Sequence, residues 1–136
     1  MTREEAKVVL SFHSGRNADI KDPRWEAGFV PSLRPFREEG QEASFHEIME
    51  AILALAPSLQ GDSVEEPLMA DLWGIVHLAK YWGYSNRDVL TDAEAERVEF
   101  YADHISVTVF CLLDGCDVET AFELYWSDYP ERNKKK

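Results

Sequence analysis

Residues 68–83 read LMADLWGIVHLAKYWG, and the spacing of their apolar side chains decides the fold class. At roughly 100° per residue, Leu68, Leu72, Ile75, Val76, Ala79 and Trp82 fall on one side of a helix. Trp73, His77 and Tyr81, each four apart, make a second stripe on the far side, beside Ala70 and Gly74. A helix apolar on two sides belongs inside a bundle, with neighbours on both flanks. The second stripe has two readings. It is a core face packed on the N-terminal segment, with Ala70 and Gly74 admitting another backbone, or it is an aromatic wall for a small molecule or a partner side chain. A sustained helical period favours the core face.

The flanking sequence supplies further helices. TREE (Thr2–Glu5), SFHE (Ser44–Glu47) and TDAE (Thr91–Glu94) match the capping box, in which side chains satisfy the free amides of a helix start. The first predicts a helix to about Phe12. The second opens a helix carrying Phe45, Ile48, Met49, Ile52, Leu53 and Ala56, ended by Pro57. SVEE (Ser63–Glu66) is a further box before the central helix, with Pro67 in its first turn and Gly83 as its stop. The longest helix runs from Thr91 to Gly115, with Ala95, Val98, Ala102, Ile105, Val109 and Leu112 toward the core. Its portion Ile105–Leu113 has strand propensity, but the 3.6-residue period continues from the capped start. Asp117 caps a last helix with Val118, Ala121, Phe122, Tyr125 and Trp126 on one side.

Residues 15–41 hold three prolines and three glycines and read as irregular, packed down by Trp25, Phe29, Leu33 and Phe36. Within them Asp22 and Pro23 start one short helix. The expectation is therefore all-α. A single domain, residues 1–133, forms an irregular bundle of about five or six helices around 68–82, followed by a basic tail at 134–136.

Three of these segments carry a resemblance. LWGIVHL (Leu72–Leu78), LLDG (Leu112–Gly115) and AFELY (Ala121–Tyr125) resemble a group of small uncharacterised bacterial proteins over roughly residues 68–125. The resemblance implies a bacterial origin and no particular activity.

The chain has 136 residues, 45% of them hydrophobic and 12% aromatic, which is a globular rather than a disordered composition. Cys111 and Cys116 match neither a CxxC redox pair nor a zinc-ligand spacing. The MTREEAK start has no signal-peptide core, and no apolar run is long enough to cross a bilayer, so a cytoplasmic setting and no membrane are expected. No cofactor or metal is implied. His77 has Gly74 where a Glu-x-x-His ligand pair needs glutamate, and His46 and His104 also lack that pattern. Neither a nucleophile elbow nor a glycine-rich phosphate loop occurs, so catalysis is not indicated.

Charge is the functional signal. Residues 1–37 hold seven Lys/Arg and five Asp/Glu, whereas residues 38–133 hold four Lys/Arg and twenty-one Asp/Glu. With a net charge of −12, direct nucleic-acid binding is set aside. Asp92, Glu96, Glu99 and Asp103 project within roughly 60° of one another on the long helix. Their adjacent pairs repel by roughly 0.2–0.5 kcal/mol each, and the helix dipole offsets this only in the first turn. Arg34 and Arg37 are the internal cations available to neutralise them. Otherwise the stripe is either a solvated face or a docking face for a basic partner. The sequence thus predicts a non-enzymatic acidic binding module, an inhibitor of the immunity type that neutralises a basic protein such as a toxin. Trp82 and Tyr84 are its candidate anchors. The alternatives are a small-molecule-binding or enzymatic domain using Trp73, His77 and Tyr81, and a DNA mimic.

Overall fold

The computed structural model describes residues 1–134. Among them the chain forms seven α-helices: α1 Arg3–His13, α2 Pro23–Glu26, α3 Gln41–Leu59, α4 Glu66–Leu78, α5 Asp92–Leu113, α6 Val118–Ala121 and α7 Glu123–Asp128. A π-helical turn, Ala79–Tyr84, continues α4, and a 3-10 turn, Pro130–Arg132, follows α7. The fold is an all-α bundle; a lone antiparallel bridge between Leu33 and Phe36 is the sole strand-like pairing among the described residues. Of the basic tail at 134–136, all but Lys134 lies outside the described residues. Among the described residues no helix is long and apolar enough to cross a membrane.

Two of the expected capping boxes form. Thr2 Oγ1 accepts the Glu5 amide at 3.1 Å while the Glu5 carboxylate accepts the Thr2 amide at 2.8 Å. Thr91 and Glu94 repeat this at 3.1 and 2.9 Å, launching α5. Asp22 caps α2 ahead of Pro23, Asp117 caps α6, and Gly115, with φ of +89°, ends α5 through a left-handed residue.

Four expected boundaries move. The SFHE box is not used: α3 begins at Gln41, behind Gly40, and Ser44 is buried inside it. The extra turn is held by Gln41, whose buried amide donates to Ser32 Oγ at 3.0 Å. Pro57 does not stop α3, which runs on to bury Leu59. The SVEE box is also unused: α4 begins only at Glu66, with Glu65 in the cap position, so Ser63 lies outside the helix, and the Glu65 carboxylate accepts from Lys7 Nζ at 2.9 Å. The last helix divides at Phe122 into α6 and α7.

The helix with neighbours on both flanks is α3. Phe45, Ile48, Met49, Ile52 and Leu55 lie wholly inside, between α1 and α5. The helix beginning near Leu68 is instead a wall of the bundle: α4 buries Leu68, Asp71, Leu72 and Ile75 on one side only. Its second stripe is not core. Trp73 is 72% exposed, Tyr81 67%, and His77 is also exposed. A Cβ added to Gly74 would meet nothing within 4 Å, so no other backbone approaches there. Apolar spacing alone does not distinguish a covered helix face from an uncovered one. Residues 15–41 do pack down: Phe29, Val30 and Leu33 are buried, with Trp25 and Phe36 half covered.

Candidate functional site

The Thr91 cap fixes where α5 starts, and Ala95, Val98, Ala102, Ile105 and Leu112 then turn toward the core. That orientation, roughly 110° around the helix from the acid stripe, leaves Asp92, Glu96, Glu99 and Asp103 in water. Arg87, from the turn before α5, reaches Asp92 at 3.2 Å, but the Asp92 side chain is 92% exposed, so this pair contributes little. Among the described residues no cation pairs with Glu96, Glu99 or Asp103. Arg34 and Arg37, the candidate internal cations for neutralising them, are engaged elsewhere. Arg34 lies 5.4 Å from the centre of the Trp82 ring, and Arg37 donates to the Glu26 carbonyl at 2.6 Å.

Neither expected anchor is an exposed aromatic. Trp82 and Tyr84 are both half-buried and packed against the core. Trp82 lines a cleft shared with Leu33, Arg34 and Phe36. Tyr84 stays near the acids: burial, and then the charges of Asp103 and Glu99, hold its phenol above the ordinary range. The π turn is the reason for this division. Its i→i+5 bonds take up more residues per revolution than an α-helix, so positions after Ala79 leave the register of α4.

The Trp73, His77 and Tyr81 stripe does not line a single feature. His77 and Tyr81 remain neighbours, with ring centres 5.9 Å apart, but Tyr81 joins the Trp82 cleft. Trp73 lines a different feature, an open groove of about 250 Å³ between α4 and α5. Met69, Leu72, Trp73 and Val76 form one bank, and Ser106, Val109, Phe110 and Leu113 the other. Phe110 is 64% exposed and Leu113 42%.

The spacing of α5 carries the acid stripe into this groove. Asp92, Glu96, Glu99, Asp103, Ser106, Phe110 and Leu113 follow one another at steps of three and four, which keeps them on one face. The face is acidic for its first half and apolar for its last. The sequence reading names neither Phe110 nor Leu113 as core or site, although continuing the 92–103 spacing finds them.

The remaining histidines serve the fold. His13 Nδ1 accepts the Phe29 amide at 3.1 Å and Nε2 meets Glu47 at 2.7 Å, which holds that carboxyl below its usual range. His46 Nδ1 lies 2.7 Å from the Tyr125 hydroxyl, and His104 Nε2 lies 2.8 Å from Asp128. Among the described residues no three His, Cys, Asp or Glu side chains are grouped to hold a metal ion. Comparison of the chain with protein-family models, curated proteins and solved structures gave no match.

Proposed function

We propose that the protein is a binding module that engages a basic surface of another protein through the acidic face of α5. One observation carries this reading: Glu96, Glu99 and Asp103 stand exposed on one helix face without a cation of their own among the described residues. Their mutual repulsion costs stability and contributes nothing to the core. A positive partner surface relieves that repulsion and is drawn in by it, so opposed potentials speed encounter and select the partner. Covering a basic surface also blocks what that surface does. On this reading the module acts as an inhibitor of the immunity type, with a basic protein such as a toxin as its target. The cytoplasm is the setting in which this reading is cast, both cysteines being unpaired thiols.

The test is affinity capture from bacterial lysate with the wild-type chain and with Glu96→Lys/Glu99→Lys. The expected result is a basic partner that is retained at low salt, released at high salt, and lost by the variant. Retention of the same partner by the variant at all salt concentrations would remove the acidic face from the account.

A further inference from the structure

The acid row and the α4–α5 groove lie on one line, and this gives the partner a shape as well as a charge. We propose that together they form a single docking track for an amphipathic helical segment of a partner protein, apolar at one end and basic at the other. This rests on the reading of the acid row as a docking face.

The dimensions fit such a segment. Asp92 to Leu113 spans about 32 Å at 1.5 Å per residue, of which about 10 Å is the apolar stretch from Ser106 onward. A helix of about 18 residues would lay two apolar turns between Trp73 and Phe110 and three basic turns along Asp103, Glu99 and Glu96. The groove runs between two antiparallel helices: Met69–Val76 on α4 and Ser106–Leu113 on α5 line it, and Gly83 packs against Val98 beyond it. A third helix fits such a trough by setting its ridge of side chains into the gap. No sheet edge among the described residues is available to an extended peptide.

Other occupants fit less well. Small-molecule sites enclose roughly 300–1,000 Å³ and offer several polar groups to orient the ligand. This groove is about 250 Å³, open, and has Ser106 as the one polar residue in its lining. A second copy brings another net charge of −12, and an anionic membrane surface repels the acid row in the same way.

The experiment is selection from a displayed library of helical peptides of about 18 residues, each randomised at its exposed positions. A single selected peptide is then titrated against wild type, Phe110→Asp and Glu96→Lys/Glu99→Lys. Leu113→Glu is a second groove variant, and circular dichroism checks that each chain is folded. The selected sequences are expected to carry Leu, Ile or Phe at one end and Lys or Arg at the other. Phe110→Asp and Leu113→Glu should each weaken binding on the order of tenfold, about 1.4 kcal/mol, at every salt concentration. Charge reversal should weaken it as much and also abolish its salt dependence.

If charge reversal weakens binding and neither groove variant does, the track is overturned while the acidic docking face stands. If only the groove variants matter, both readings fail; if no peptide with this pattern is enriched, the track is overturned and the acidic face stands or falls on the capture experiment. Concentration-dependent dimerisation of the wild type that Phe110→Asp abolishes would overturn the partner helix in favour of a second copy.

Discussion

Gly83 presses its Cα so closely on Val98 that a Cβ at that position would stand 2.5 Å from Val98 Cγ1. This contact seats the π turn on α5 and sets how the two helices separate further along, where the groove opens. Gly83→Ala is therefore expected to destabilise the fold by about 1–3 kcal/mol, as overpacking does. Val98→Ala removes the obstructing methyl groups, so the double variant should recover part of that loss. Urea unfolding of the two single variants and the double gives the coupling directly. Additive losses would mean that the contact is not what the glycine serves.

Asp71 is the buried charge of α4, and the apolar period of the helix gives no warning of it. Its Oδ1 accepts from Ser14 Oγ and from Arg16 Nη1, each at 2.8 Å. Arg16 also donates to the Pro67 carbonyl at 3.2 Å, which ties the end of α1 to the start of α4. Arg16→Ala leaves the buried carboxylate with a single serine and is expected to cost about 1–3 kcal/mol. Asp71→Asn keeps the shape and removes the charge, so in the Arg16→Ala background it should restore stability rather than lower it further. Chemical denaturation of both chains decides this.

The positions legible in the sequence are those where local chemistry alone fixes the outcome. The Thr2 and Thr91 boxes, the Asp22–Pro23 start and the Gly115 stop each satisfy backbone groups within four residues, and all four form. The Ser44 box fails because Gln41 finds Ser32, a partner nine residues away that no local pattern reveals. Trp73 fails for the same kind of reason: its spacing is that of a core residue, and only the position of α4 at the rim decides that water covers it. The acid stripe was legible because like charges at helical spacing do not need a neighbour to be unfavourable.

Exposure of Trp73 has a direct consequence for stability. If it were core, Trp73→Ala would cost about 3–5 kcal/mol. At 72% exposed it should stay within about 0.5 kcal/mol of wild type. Thermal unfolding measures this, and a loss in the larger range would return the stripe to the interior.

Acidification should destabilise the fold in two stages. Burial, and then the charge of Arg132, hold His46 below its ordinary 6.5, so the unfolded chain takes up that proton first. The stability carried by neutral His46 is complete above pH 6.5 and declines as pH falls from there toward the lowered folded value. His13 holds Glu47 below its ordinary 4.5, and its share is lost as pH falls below that point. In the alkaline range the sign reverses. Burial pushes Tyr101 and Tyr125 up to about 12, so stability present below pH 10 is lost as pH rises through about 12. Denaturation midpoints across the pH range trace both arms, and Tyr125→Phe should flatten part of the alkaline one.

The acid row itself predicts a substitution that raises stability and lowers function. Glu99 repels Glu96 and Asp103 on either side of it, each by roughly 0.2–0.5 kcal/mol. Glu99→Gln removes both terms, so it should stabilise the isolated chain by about 0.5 kcal/mol at low ionic strength. Salt screens the same repulsion; the advantage should therefore shrink as salt is added, and the wild type should gain more from salt than the variant does. The same substitution takes one charge from the docking face and should slow association with a basic partner. Stability and association moving in opposite directions is the signature of a charge kept for a partner. If Glu99→Gln leaves the unfolding midpoint unchanged at low salt, the carboxylates are already compensated and the row holds no unmet charge.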